Sequence, residues 1–465
     1  MKTALVIAYH FPPAGGLGAA GSQRAMKIAR HLPAGGWRPL VLTVRESSYE
    51  SFLTMDPALL EQVAPDQFIV RTTVWHGLAP VLQAKASISN GLRRLFGRER
   101  VDHPDVAQQE GEAADTSVER SLFQKVKDAI TDLFEIPDEV AGWLIPALFA
   151  GVRTVRREQV DVIFATGRPW TTLVIGAVLK AITRKPLVVD FRDPWMTNPF
   201  RLKYSGLKDS IEARLERWVV RSADIVVANT DYLRDEFVER FGSAVEEKCI
   251  TVLNGFDPEE FAKVEPELRE GSRQTSFLMV HPGFLYGKRD PRILVDAIAL
   301  LRDRGLIEPG EFICELIGPV ELSYDLESLI RSLELEDLIT LRGPVSYRES
   351  LSALASCDVA LLLQPGTSTQ IPSKLFEYVG FGKTIIAVAP LDSSVAKIID
   401  ANNLGVVTSS EDTNAVAEAI LAAVCQWRET GHSVAIPEQV QVEFDVRRSV
   451  QKLADAMSKL VDSRV

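Results

Sequence analysis

Short, β-branched apolar runs alternate with helix-length amphipathic stretches along almost the whole chain. In the first half these runs predict strands at Ala4–Tyr9, Leu40–Val44, Phe68–Val74, Val162–Thr166, Leu187–Phe191, Ile225–Asn229 and Thr251–Leu253. Helical spacing falls between several of them, at Gln23–Leu32, Thr171–Ile182 and Ile211–Arg221. Continuously apolar strands separated by helices indicate a parallel sheet covered on both faces. The pattern then restarts, with strands predicted at Phe277–Val280, Phe312–Ile317, Ile339–Leu341, Val359–Leu363 and Ile385–Val388. Between the two halves, Ala262–Gln274 is polar and charged and contains Pro and Gly.

The expected organisation is therefore a first α/β domain over 1–261, a linker over 262–275, a second α/β domain over 276–438 and a helical tail over 439–465. The tail places Val446, Val450, Leu453 and Met457 on one helical face. Two such domains in tandem leave a cleft between the carboxyl ends of their strands, where ligands bind in open α/β sheets. An insertion at about 75–160 interrupts the rhythm, because it is too long for one crossover. Within it, Glu99–Glu119 is polar and acidic and reads as a loop. The run Leu92–Arg98 is both basic and apolar, which fits either contact with the anionic inner face of a membrane or a solvated helix.

Composition narrows the function classes. With 465 residues, 46% of them hydrophobic and 25% charged, the chain can bury more than one core. A net charge of −11 is the wrong sign for a nucleic-acid binder, which needs clustered cations to displace counterions from phosphates. The four cysteines, Cys249, Cys314, Cys357 and Cys425, have no metal-ligand spacing and read as free thiols in a reducing cytoplasm. The apolar start is too short for a signal peptide and runs into His10-Phe11-Pro12-Pro13. Val140–Val152, the longest apolar stretch, contains Pro146 and falls short of the about 20 residues that span a bilayer. A cytoplasmic protein is expected.

Four turns carry candidate chemistry. After the first strand, Gly15 and Gly16 would let backbone N–H groups approach a ligand ahead of a helix, or would simply form a tight strand-to-helix turn. At the end of a very apolar strand, Asp190, Arg192 and Asp193 are costly to desolvate unless paired. They read as a structural Asp–Arg pair with a helix cap, or as catalytic and sugar-binding groups. In the second domain Lys288 and Arg289 follow Gly283 and Gly287, suiting an anionic ligand or a charged surface. The fullest motif is Gln370-Ile371-Pro372-Ser373-Lys374-Leu375-Phe376-Glu377-Tyr378. Pro372 fits the first helical position, and the helix start beyond it offers free N–H groups to phosphate. Lys374 and Glu377, three apart, share a face. That pairing places a cation beside a diphosphate and a carboxylate beside ribose hydroxyls, or else forms an ordinary i,i+3 salt bridge.

In this order and spacing, Phe11-Pro12-Pro13 with Gly15-Gly16, Asn254-Gly255-Phe256-Asp257, Gly283 with Arg289, and Ile371 to Tyr378 resemble the retaining glycosyltransferases of the GT-B fold, in the family-four group that includes bacterial polysaccharide and lipid-sugar transferases. The resemblance implies two facing Rossmann-like domains, the first for acceptor and the second for donor nucleotide, with the C-terminal helix crossing back to the first. In that family a Glu-x7-Glu motif ends at a ribose-binding carboxylate. Glu377 looks like this residue, while Thr369 stands at the earlier position. Of the Gly-Arg…Lys pair that grips the diphosphate, Phe284 occupies the Arg position and Arg289 the Lys position, with Lys374 expected to compensate for the lost cation. Arg192 stands where the family has a histidine, and Asp193 follows it.

The implied reaction is transfer of a sugar from a nucleoside diphosphate sugar to the hydroxyl of an acceptor glycan or glycolipid, with retention, in cell-surface polysaccharide or glycolipid synthesis. Asp193 and Arg192 are the expected catalytic groups. Glu377, Lys374, Arg289, Lys288, Ser373, Pro372, Gly15 and Gly16 are the expected donor-binding groups. No Asp-x-Asp stands at a credible strand end, so neither metal nor cofactor is expected. A sugar-nucleotide 2-epimerase would use the same fold with acid–base groups such as His10 and His281. A protein that binds the donor without catalysis is the third reading.

Overall fold

The computed structural model describes residues 1–15, 19–49, 53, 55–75, 136–198, 201, 206–268 and 276–464. The first sheet contains β1 (Lys2–Ala8), β2 (Trp37–Val44), β3 (Phe68–Thr72), β4 (Val162–Gly167), β5 (Leu187–Phe191), β6 (Ile225–Ala228) and β7 (Cys249–Thr251). The second half contributes β8 (Phe277–Pro282), β9 (Leu285–Tyr286), β10 (Phe312–Ile317), β11 (Val320–Glu321), β12 (Ile339–Arg342), β13 (Val359–Leu363), β14 (Thr384–Val388) and β15 (Gly405–Thr408).

The strands run in the order β3-β2-β1-β4-β5-β6-β7 in the first sheet and β12-β10-β8-β13-β14-β15 in the second, with β9 and β11 forming a separate two-stranded pair. All described pairings within these sheets are parallel. Side-chain alternation then splits each sheet between two cores. Leu5, Ile7, Leu40, Leu42 and Ile163 face one helical layer, while Ala4, Val6, Ala8, Val41 and Phe164 face the other. Burial on both faces is why these strands are apolar at every position. The strand order reverses between β1 and β4, and again between β8 and β13, so the loops leaving β1 and β8 frame crevices at the carboxyl ends of the strands.

Some boundaries differ from the expectation. β7 begins two residues before the predicted Thr251, because Cys249 and Ile250 pair with β6 while Val252 and Leu253 already leave the sheet. β15 has no counterpart in the apolar reading: it is a half-exposed edge strand that starts on Gly405 at φ +151, where a Cβ would lie 1.9 Å from the Ile385 carbonyl oxygen. In the insertion, the apolar stretch ends in helix Leu144–Arg157, which buries Ala147 and Val155 in the first core with Trp143 beside them. No helix among the described residues is long and apolar enough to cross a membrane. Leu92–Arg98 and Glu99–Glu119 lie outside the described residues.

The chain crosses between the domains twice, and the crossings meet. The Phe256 N–H donates to the Phe444 carbonyl (3.2 Å), and the Val446 N–H donates to the Phe256 carbonyl (2.9 Å). A Cβ on Gly255 would lie 2.6 Å from the Phe444 oxygen, so only glycine lets the strands approach this closely. Helix Val446–Asp462, capped by the Asp445 carboxylate, then lies on the first domain. Val450, Leu453 and Met457 are fully buried against Met26, Ile28 and Trp37, each contributing about 1.5–3 kcal/mol of apolar burial. The Trp37 indole N–H bonds to the Ala454 carbonyl (3.1 Å), and Lys2 pairs with Asp462 at 2.6 Å.

Candidate active site

The cleft between the two sheets is a cavity of about 400 Å³, lined from one side by Gln23, Arg24, Arg192, Asp193, Asn229 and Asn254 and from the other by residues of the loops after β8 and β13 and of helix Ser373–Gly380.

The floor on the first-domain side is a buried ion pair. The Arg24 guanidinium donates to both Asp190 oxygens (2.9 and 2.6 Å), to the Asn254 side-chain oxygen (2.8 Å) and to the Val252 carbonyl (3.0 Å). The Thr166 hydroxyl adds a third donor to Asp190 at 2.6 Å. With its oxygens met and no exposure, Asp190 holds helix Ala19–His31 against the ends of β4 and β5. The structural Asp–Arg pair at this strand end thus joins Asp190 to Arg24, which sequence reading did not single out, rather than to Arg192. Asp190→Asn should leave the Arg24 charge buried and poorly compensated. The expected loss is about 3 kcal/mol or more of stability, read as a lowered urea midpoint, and a midpoint equal to that of the parent would refute it.

Asp193 reaches the cavity beside this floor. Its carboxylate accepts from the Gln370 amide across the cleft at 2.7 Å. Arg192, the other expected catalytic group, does not bond to Asp193 but donates to the Gly167 carbonyl (3.1 Å) and the Arg168 carbonyl. The reason is local: the Arg192 guanidinium occupies the space beside Gly21, where a Cβ would meet it at 2.0 Å. Burial raises the Asp193 carboxyl above the usual carboxylate range, against the opposing pull of Arg192, Arg168 and the Gln370 bond.

On the opposite wall, Pro372 is extended (ψ 144) and is the N-cap of helix Ser373–Gly380, one position before the first helical residue expected for it. No side chain caps this end, so the Ser373 and Lys374 N–H groups are available to a ligand, while that of Leu375 donates to the Pro372 carbonyl (3.1 Å). Pro372, Ser373, Lys374 and Glu377 all line the cavity. The i,i+3 salt bridge is absent: Lys374 makes no hydrogen bond or ion pair with a described residue. Burial lowers its ammonium pKa, opposed by the charge of Glu377, and raises that of Glu377, opposed by Lys374 and Lys27. The Tyr347 hydroxyl lies 3.4 Å from Glu377 Oε1.

Arg289 also lines the cavity, held by the Gln364 side-chain oxygen at 3.0 Å. Lys288 does not: it is exposed, with its stem against Gly366. Gly15 is buried outside the lining, and Gly16 lies outside the described residues. Phe284 lines the cavity with Tyr286, the two rings 4.6 Å apart. Thr369 does not line it. Among the described residues no group of three or more His, Cys, Asp and Glu is placed to hold a metal ion.

Comparison with known proteins shows two family domains in this order. Residues 124–255 match the glycosyl transferase 4-like domain, and residues 277–426 match the glycosyl transferases group 1 domain. The chain is a GT-B glycosyltransferase of the family-four type. Over 153 residues it is 31% identical to the D-inositol 3-phosphate glycosyltransferase of Kineococcus radiotolerans, a match covering 31% of this chain and 35% of that enzyme. The likeness to that relative therefore spans about a third of its length. Among solved structures, sucrose-phosphate synthase of Thermosynechococcus elongatus is similar at TM-score 0.63 and 14% identity over 100% of both chains. Anabaena HepE in complex with UDP-glucose is similar at TM-score 0.60 and 19% identity over 99% of this chain and 100% of that one. A Rickettsia africae glycosyltransferase gives TM-score 0.60 at 14% identity over 99% and 98%. At these identities the likeness to the solved structures shows the fold alone.

Proposed function

We propose that the chain transfers a sugar from a nucleoside diphosphate sugar to an acceptor hydroxyl, with retention and without a metal, in the synthesis of cell-surface polysaccharide or glycolipid at the cytoplasmic side of the membrane. The observation that carries this reading is the wall formed by Pro372, Ser373, Lys374 and Glu377. An uncapped helix start and an unpaired ammonium suit a diphosphate, and a buried carboxylate one turn deeper suits ribose hydroxyls. HepE, which shares the fold, holds UDP-glucose.

Leaving-group departure is the step this arrangement favours. Negative charge develops on the diphosphate as the glycosidic bond breaks, and Lys374, Arg289 and the helix N–H groups, which line the cavity, would stabilise that charge. Asp193, opposite them, stabilises the oxocarbenium-like centre or takes the acceptor's proton. Incubation with a panel of radiolabelled sugar nucleotides tests the reading. Transfer or slow hydrolysis supports it, whereas interconversion of the sugar nucleotide would indicate an epimerase, and binding alone a protein without catalysis.

The cation assignment has its own expected result. Lys374→Ala and Arg289→Ala should each weaken binding of a nucleoside diphosphate by about tenfold or more, with binding of the free nucleoside little changed. Calorimetry showing equal losses for both ligands would remove the two side chains from the diphosphate site.

A further inference from the structure

His281, the fifth residue of β8, is 2% exposed and lines the cavity. Its Nδ1 lies 2.8 Å from the Leu361 carbonyl on β13, which also accepts the Tyr378 hydroxyl at 3.0 Å. Nδ1 therefore carries the proton, and Nε2 presents a lone pair. That nitrogen is buried and has no hydrogen-bond partner among the described residues. A Cβ on Gly283 would lie 2.7 Å from it and 3.1 Å from Lys374 Cε, so the Gly283 backbone, His281 Nε2 and the Lys374 stem converge on one point.

The charged neighbours keep that lone pair unprotonated. Lys374, from helix Ser373–Gly380, and Arg289, from the loop after β9, both act electrostatically on the ring. Burial and these two cations hold the imidazole pKa down at about 3, so the ring is neutral in the empty site. A neutral acceptor repels a phosphate oxygen, whereas an imidazolium at the same place donates a charge-assisted bond to it. An entering diphosphate supplies the negative charge that reverses the balance.

We propose that His281 is a proton-gated member of the diphosphate clamp: Nε2 takes a proton from solvent as the diphosphate enters and donates it in a hydrogen bond to a phosphate oxygen. The inference rests on the donor site proposed above. It gives the site a third cation on the wall where Phe284 stands in place of an arginine.

Linkage fixes the sign. A proton taken up on binding makes affinity fall as pH rises through the ligand-bound pKa of His281. The test is calorimetric titration of UDP, ADP and GDP, with the matching nucleosides as controls, into the full chain at about pH 6 in buffers of different ionisation enthalpy. The parent should take up about one more proton per bound diphosphate than His281→Gln does, and the variant should bind the diphosphate about tenfold or more weakly, with nucleoside binding unchanged. In the parent, one histidine ring resonance should move to the imidazolium position on adding the diphosphate, a readout that needs no variant. Equal proton uptake by parent and variant, or no histidine shift, overturns the role of His281 while the donor site stands. Failure of every diphosphate to bind overturns the donor site and this inference with it.

Discussion

Glu377→Ala is expected to abolish measurable transfer, lowering kcat/KM for the donor by at least about a hundredfold, in a protein that keeps its fold. The side chain is 8% exposed one turn inside the helix that Pro372 opens, and among the described residues its one hydrogen bond is the long one from Tyr347. Its acceptor capacity is therefore largely free for a ligand. Two ribose hydroxyls placed there without it would be desolvated and unpaired, the costly case for a buried polar group. Burial raises the Glu377 carboxyl above its ordinary range. A carboxyl with a raised pKa is protonated at a higher pH than a free one, so donor affinity should be lost as pH falls through that value. Glu377→Gln should flatten this acidic limb and retain part of the affinity through its remaining carbonyl oxygen. A folded Glu377→Ala protein with the parent's donor KM and kcat would remove the nucleotide site from this helix.

The fold was legible wherever a strand is buried on both faces. Leu187–Phe191, Phe312–Ile317 and Val359–Leu363 match their predicted bounds, because parallel strands between two helical layers must be apolar throughout. β15, Gly-Val-Val-Thr at an edge, has too short a run and too much exposure to leave that signature. The tail was legible for the same reason as the buried strands. Its spacing of Val446, Val450, Leu453 and Met457 is that of a helix with one buried face.

The site divides along the same line. Groups adjacent in sequence, such as Pro372 to Glu377, announce themselves because a helix start is a local object. Partners that meet only in the fold do not. Asp190 was visible as a charge at an apolar strand end, but its partner Arg24 lies 166 residues away on an unremarkable helix. Gln370 was in the quoted motif, yet nothing local says that it reaches Asp193, 177 residues earlier. Lys288 and Arg289 are indistinguishable as a dipeptide, and only the turn decides that Arg289 enters the cavity while Lys288 lies on Gly366. His281 stood out only as an acid–base candidate for an epimerase, by its place at a turn. The unpaired Nε2 that makes it informative exists only once β13 has supplied the Leu361 carbonyl to the other nitrogen.

Asp193→Asn should lower kcat by roughly a hundredfold or more if Asp193 is a general base, while donor affinity and stability change little. The substitution is nearly isosteric, and the Gln370 amide can still donate to the asparagine oxygen, so the contact across the cleft survives. What is lost is the charge, in a cavity where burial has already raised the carboxyl's proton affinity. A base with a raised pKa accepts the acceptor's proton more readily at neutral pH than an ordinary aspartate would. The parent's kcat should fall as pH drops through that pKa, and in Asp193→Asn this acidic dependence should vanish with the rate. Gln370→Ala separates position from charge. It removes the bond at 2.7 Å but leaves the carboxylate, so it should cost less in kcat than Asp193→Asn and keep the pH dependence. Normal turnover by a folded Asp193→Asn would confine Asp193 to joining the domains through Gln370. The chemistry would then rest on stabilisation of the leaving diphosphate by Lys374, Arg289 and the helix that begins at Ser373.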